Sequence, residues 1–304
     1  MVVHARPPRR RISGVVLLDK PYGLSSNDAL QRVKRLFRAE KAGHTGSLDP
    51  LATGMLPICL GEATKLSGVL LDSDKRYRAT VSVGTQTTTG DAEGEAVAHS
   101  DASLLGEAAL RGVIPRFIGA QQQVPPMYSA LKREGRPLYE LAREGLSVER
   151  EPRRIVVHDL RLLDFARGSF EIEVLCSKGT YIRTLAEDLA AAAGQRAHLS
   201  ALRRTGVAPF WRHASVTLEM LEAERDDLSA LDRHLLACAE ALAHWPTLTV
   251  DEIHAQALAH GCAQRIAGVR RETRLAVIDG RGDLLGLAES DAEGWVRPQR
   301  WLQR

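Results

Sequence analysis

The string GHTGSLDPLATG, residues 43–54, holds three glycines, two threonines, a histidine and a serine around one Asp-Pro pair. A carboxylate inside so tight a turn invites a chemical reading. Asp before Pro is also a frequent turn residue whose side chain does no more than cap local N–H groups. Likewise His44 by itself is an ordinary polar loop residue. The string is not a phosphate cradle: no Gly-Lys-Ser/Thr triplet follows the glycines, GxGxxG is absent, and an anion would be out of place there. If Asp49 is a nucleophile, it must stay ionised while partly enclosed. Enclosure raises a carboxyl pKa unless a cation or hydrogen bonds offset it. The chemistry therefore demands a fixed arginine nearby and, for a ring substrate, a flat apolar surface. KRYR (Tyr77), GTYIR (Tyr181, Arg183) and LRR (Leu202, Arg203) could supply both, if the fold brings them together.

The elements that would do this are legible in outline. GVVLLDKPYGLSS reads as a buried strand, a Pro/Gly turn and a serine cap. The helix that follows sets Ala29, Leu30, Val33, Leu36 and Phe37 at helical spacing, with Lys34, Arg35 and Arg38 mainly on the other side. LPICLG is a short apolar strand, EATKLSGVLLDSDK a helix, and KRYRATVSVG alternates with period two. Residues 102–118 read as helical. RIVVHDLRLLDF and SFEIEVLCS read as strands, and KGTYIRTLAEDLAAAAG enters a helix from a glycine turn. The class is α+β.

Composition narrows the setting. The chain has 304 residues, 44% hydrophobic, enough for one large domain and a small one. No run is long enough to span a membrane, and Val15–Leu18 is too short for a signal peptide, so a soluble, cytoplasmic protein is expected. Cys59, Cys176, Cys238 and Cys262 are far apart, with no CxxC and no Cys/His cluster. This argues against a zinc site or a disulfide framework and for small buried apolar residues. Net charge is +3, but residues 1–20 hold Arg6, Arg9, Arg10, Arg11 and Lys20 against Asp19, leaving the rest near −1. A basic arm over 1–11 is either a solvated tail or a phosphate-contacting one. Residues 214–252 carry nine acids against Arg225 and Arg233, and 214–246 reads as an acidic helical connector. Residues 247–304 read as a small β-rich domain. An excursion at 125–154 carries seven cations, Lys132, Arg133 and Arg136 among them, interleaved with Tyr128 and Tyr139 and diluted by five glutamates. Broken by Pro125, Pro126, Gly135 and Gly145, it is expected to be mobile until a polyanion binds.

Several blocks, in order, resemble one family. GVVLLDKPYGLSSNDALQRVKR, AGHTGSLDPLATGMLPICLGEATK, LLDSDKRYR, PPMYSALKREGRPLYE, CSKGTYIRTLAEDL and AHLSALRRTGV are similar to the TruB-type tRNA pseudouridine synthases, densely over about residues 12–210. Ser47 stands where alanine is common in bacterial relatives. The resemblance implies a pseudouridine synthase-like core at 12–246, with a mixed or antiparallel sheet and flanking helices, and a PUA-like RNA-binding domain at 247–304. It implies isomerisation of a uridine in the T-loop of tRNA, by convention nucleotide 55, through base flipping and an aspartate, with no cofactor and no metal. By the same resemblance Asp49 is catalytic, Tyr77 stacks on the extruded uracil, and Arg183 pairs with Asp49. Tyr181 and Leu202 line the base pocket, Lys20 supports the site, and His44 displaces the loop fold. Arg9, Arg10, Arg11, Lys132, Arg133, Arg136 and Arg203 are expected to contact RNA. The expected partner is the T-arm, met by a monomer with no obligate protein partner. PPMYSALKREGRPLYE resembles the RNA-gripping excursion of stand-alone bacterial enzymes rather than guide-dependent relatives. A tRNA-binding chaperone with incidental chemistry is the alternative, but such a protein has no use for a carboxylate facing a polyanion.

Overall fold

The computed structural model describes residues 8–303. Of the basic arm, Arg6 lies outside the described residues. The centre is a nine-stranded mixed sheet. Four strands matter most for the site: β1 (Gly14–Lys20), β2 (Ala42–His44), β3 (Thr53–Leu60) and β4 (Lys75–Val83). From one edge the order is Val216–Thr217, β1, β3, Ala197–Val207, β4, Ser169–Cys176, Arg153–Ala166 and Gly119–Gln123, with β2 paired to β3 off this path. β3 runs parallel to Ala197–Val207, through Arg203↔Thr53 and Arg204↔Gly54, while its pairing with β1 is antiparallel. Those parallel contacts set the end of the Asp49 turn against the middle of the sheet.

Local chemistry explains the elements around this point. α1 (Ser26–Leu36) starts at Ser25, whose hydroxyl accepts from the Asp28 N–H, a cap of the usual polar type. Ala29, Leu30, Val33 and Phe37 are buried on one face. β4 alternates buried and exposed residues from Lys75 to Ala79, so Tyr77 faces inward while Arg76 and Arg78 face water. The helix Ile182–Ala192 packs on this inner side through Leu185, Ala186 and Leu189. Residues 102–118 form a seven-residue helix, Glu107–Val113, flanked by single 3-10 turns.

Two segments depart from expectation. The acidic stretch 214–246 does more than connect. Val216–Thr217 pairs parallel with β1 as an edge strand, and Val216, Leu218, Leu221 and Leu231 enter the main core. Its acids are surface residues over an apolar face, which net charge alone conceals. The excursion is also folded, as a two-residue hairpin (Lys132–Arg133 with Arg136–Pro137) and a helix, Leu138–Arg143, with Leu138 and Leu141 buried.

The last sixty residues contain a five-stranded sheet, ordered Thr247–Thr249, Thr273–Ile278, Leu284–Ser290, Trp295–Trp301 and Gln264–Arg265. Ala276, Leu287 and Leu302 share a core with Val15, Leu17 and Met55 of the central sheet. Lys65 Nζ, in the 3-10 helix Gly61–Leu66 that follows β3, donates to the Trp301 carbonyl and ties the second sheet to that helix. Cys59 and Cys176 are buried as expected, but Cys238 is half-buried and Cys262 is exposed. Among the described residues no helix is long and apolar enough to cross a membrane.

Candidate active site

The turn 46–54 is built to offer one side chain. Leu48, Leu51 and Ala52 point into the core, where each leucine contributes about 1.5–3 kcal/mol of burial. Asp49 is left facing out. Ser26, from the first turn of α1, holds the turn in place: its hydroxyl accepts from the Leu48 N–H at 2.7 Å and donates to the Leu48 carbonyl at 2.9 Å. Lys20, fully buried at the end of β1, donates to the carbonyls of Pro21, Leu24 and Pro50. Burial pushes its pKa down to about 8. It is tied to backbone behind the Asp49 turn and does not face the cleft. At Gly54 the φ is +101°, and a Cβ would lie 2.3 Å from the Arg204 carbonyl oxygen, so only glycine fits.

Asp49 sits in a cleft of about 490 Å³ also lined by His44, Asp91, Glu93, Tyr128 and Arg183. The Arg183 side chain is 6% exposed, and its Nε lies 3.0 Å from Asp49 Oδ2 and 3.6 Å from Asp91 Oδ2. Its other nitrogens donate to the carbonyls of Thr89 and Tyr128, both at 2.7 Å. One guanidinium therefore serves two carboxylates and fixes two loops. Asp91 is fully engaged: it accepts from the Thr89 hydroxyl and the Glu93 N–H. Asp49 keeps 43% of its side chain open at the mouth of the cleft, although protein crowds it from all other sides. The net effect on its carboxyl is upward: burial raises the pKa most, Arg183 opposes this, and Asp91 adds to it. Arg183 thus limits the rise without abolishing it. Glu93 is raised too, by burial and then by Asp91.

The other expected residues fall in different places. His44 ends β2 and lines the cleft; its buried Nδ1 has no hydrogen-bond partner. Burial, then Arg204, lowers its pKa, so it is neutral at physiological pH. Tyr77 is 7% exposed on β4, and its phenol pKa is raised by burial. A base that stacks on this ring must first displace what covers it. Leu202 is buried on the neighbouring strand, where it faces Ala79. Tyr181 precedes the helix Ile182–Ala192, half-buried, its backbone N–H and carbonyl both bonded to the Gln123 amide.

Of the LRR triplet, Arg204 and not Arg203 lies beneath the turn. Arg203 faces outward and makes a bidentate pair with Asp19 at 3.0 and 2.6 Å. Arg204, one residue on and hence on the opposite face, is 1% exposed beneath the glycine string. Period-two alternation from buried Leu202 would have found it, had the bulge between Arg204 and Gly206 not blurred the pattern. Arg10 is likewise committed, in a two-pronged pair with Asp232 (3.0 Å for Nη1–Oδ1), and Arg11 lies 3.6 Å from Glu40. Neither Arg10 nor Arg203 is free to meet a phosphate until its pair opens. Arg9 is exposed. Lys132 and Arg133 are exposed on the hairpin, and Arg136 pairs with Glu144. Tyr128, Ser129, Tyr139 and Arg143 bring the excursion onto the cleft wall, a position that a segment displaced in the free protein would not hold. Composition marked it as polar but could not register the anchoring by Leu138 and Leu141.

Comparison with known proteins supplies the family. Residues 34–182 match the TruB family pseudouridylate synthase N-terminal domain, and residues 183–243 match the tRNA pseudouridylate synthase B C-terminal domain. The chain is 50% identical over 306 residues to the tRNA pseudouridine synthase B of Saccharophagus degradans, covering 98% of each chain. It is 49% identical over 297 residues to that of Pseudomonas aeruginosa, covering 97% of each. Among solved structures, a chain of an H/ACA ribonucleoprotein bound to a substrate RNA containing 2′-deoxyuridine superposes with a TM-score of 0.72 at 22% identity, over 96% of this chain and 85% of that one. A chain of a Cbf5–Nop10–Gar1 complex gives 0.72 at 24% identity, over 96% and 84%. At those identities the likeness establishes the fold alone, and it is a pseudouridine synthase fold. On the full-length relatives and both domain matches, the chain belongs to the TruB family and is a tRNA pseudouridine synthase, an isomerase of uridine in tRNA.

Proposed function

We propose that the uridine isomerised is the T-loop nucleotide 55 of tRNA, and that Asp49 carries the reaction without a cofactor. The carrying observation is the Asp49 carboxylate 3.0 Å from a buried guanidinium, at the mouth of a cleft, with 43% of its side chain open. The isomerisation breaks N1–C1′, turns the uracil and joins C5 to C1′, while the C5 proton leaves. Whether the carboxylate adds to C6, attacks C1′ or assists loss of the 2′-proton, it must first be ionised. The Arg183 contact favours that form, and the opening lets a ribose approach. A uridine inside a folded loop has to be extruded at a cost of a few kcal/mol. Stacking on Tyr77 would return roughly 1–3 kcal/mol. Neutral His44, at the cleft wall with an unpartnered nitrogen, is suited to take the place of the base's lost partners. The excursion, with exposed Lys132 and Arg133, would grip the T-arm. The five-stranded unit would act as a PUA-like domain toward the acceptor stem, in a monomeric cytoplasmic enzyme.

The test is an unmodified tRNA transcript incubated with the protein, followed by mapping of pseudouridine, with Asp49→Asn in parallel. Product confined to the T-loop, lost in the variant while RNA affinity is retained within about threefold, is expected. Product elsewhere refutes the position, and turnover by Asp49→Asn near the native rate refutes the nucleophile.

A further inference from the structure

Arg204 is the largest fully buried side chain among the described residues, and no carboxylate there pairs with it. Its Nε donates to the Met55 carbonyl at 2.7 Å and its Nη2 to the Gly46 carbonyl at 3.1 Å. These two carbonyls lie on either side of residues 47–54, the turn that carries Asp49. The glycines at both ends have positive φ, +121° at Gly46 and +101° at Gly54, and Gly54 packs directly on the Arg204 backbone. Across the sheet Arg204 registers with Tyr77, and its charge acts on that phenol. A single side chain thus touches both ends of the catalytic turn and reaches the tyrosine expected to receive the base.

Stability is a poor reason for this arrangement. A buried cation without an anionic partner carries a desolvation penalty that carbonyl dipoles only partly offset. Lysine would replace it only in part, because an ammonium lacks the fixed fork with which Nε and Nη2 reach the two carbonyls from separate atoms. We infer that Arg204 is a positioning residue: it clamps the two ends of the Asp49 turn and aligns that turn with Tyr77. This rests on Asp49 being the reactive carboxylate. It acts through the backbone of Gly46 and Met55, without meeting substrate. Loss of the clamp lets Asp49 wander relative to the extruded base, and a displacement of 1 Å in such geometry costs on the order of 100-fold in rate.

The experiment measures single-turnover rate and RNA dissociation constant separately, on a T-arm stem-loop, for Arg204→Gln, Arg204→Lys, Asp49→Asn and Leu160→Ala. Leu160 is buried three strands away in the sheet and serves as a control for lost stability alone. Arg204→Gln is expected to lower the rate on the order of 100-fold, with affinity changed less than threefold. Arg204→Lys should recover part of that loss, and Leu160→Ala should melt earlier yet react at the native rate. The inference is overturned if Arg204→Gln reacts within threefold of native, if its defect lies in affinity, or if Leu160→Ala loses rate equally. It is also overturned if neither Arg204 variant folds, since the residue is then scaffold alone. An active Asp49→Asn would instead overturn the assignment of Asp49, whatever Arg204 does.

Discussion

Replacing Arg183 by Gln removes the cation that, among the described residues, contacts both Asp49 and Asp91, while keeping a donor for the Thr89 or Tyr128 carbonyl. The magnitude follows from the distances. Unit charges 3.0 Å apart attract by about 5 kcal/mol at an effective dielectric constant of about 20. Asp49 is 43% open to water, so roughly half of this is screened, leaving about 2–3 kcal/mol. If the transition state needs ionised Asp49, the rate falls by about 30- to 150-fold at pH values below the native carboxyl's pKa, and by less as pH rises above it. The pH dependence has a definite sign. The Asp49 carboxyl already titrates above its ordinary value, so activity is lost as pH falls through that raised pKa. Without the guanidinium the pKa rises further, and the acid limb of the rate profile must move to higher pH. Tritium release from C5-labelled uridine in a T-arm stem-loop follows the reaction, because C5 loses its hydrogen as it bonds to C1′. Single-turnover rates across pH 5–9, with separately measured RNA affinity, isolate the effect. A variant within threefold of native at all pH values, or one whose acid limb stays in place, refutes the charge argument. A loss found wholly in affinity shows that Arg183 matters for loop packing alone.

Further consequences are as direct. Asp49→Asn should raise the melting temperature at pH 7–8, since a carboxyl with a raised folded-state pKa destabilises the fold once ionised, and this gain should vanish as pH falls through that pKa; equal gains at pH 4 and 8 would contradict it. Gly54→Ala should destabilise by more than about 2 kcal/mol in denaturant unfolding, because its Cβ meets backbone 2.3 Å away at a φ of +101°; a normal midpoint would refute the packing. Replacing Lys132, Arg133 and Arg136 together by Ala should lower the slope of log affinity against log salt by about 2 if Lys132 and Arg133 alone meet phosphates, since Arg136 is paired with Glu144; an unchanged slope removes the hairpin from the RNA interface.

Much of this protein is written locally. The Ser25 cap, the apolar stripe of α1, the alternation of β4 and the glycine turn are short-range patterns, because capping, helical period and strand period depend on neighbours in sequence. The Asp49 turn, together with blocks such as GTYIR and LRR, carried enough local identity to indicate the family and the aspartate. Convergence is another matter. The sequence could ask for an arginine beside Asp49, but only the parallel contact of β3 with Ala197–Val207 and the packing of the helix Ile182–Ala192 place Arg183 there. That Arg183 also answers to Asp91, 92 residues earlier, was invisible from either segment. Arg203 and Arg204 are chemically identical in sequence, and the face of a strand decides that one pairs with Asp19 at the surface while the other is buried beneath the active turn. Arg10 looked like a free phosphate ligand until Asp232 came within reach. Charge and composition are read residue by residue, whereas burial and pairing are properties of residues far apart in the chain, so the tertiary fold alone determines which cations are spent inside the protein and which remain for RNA.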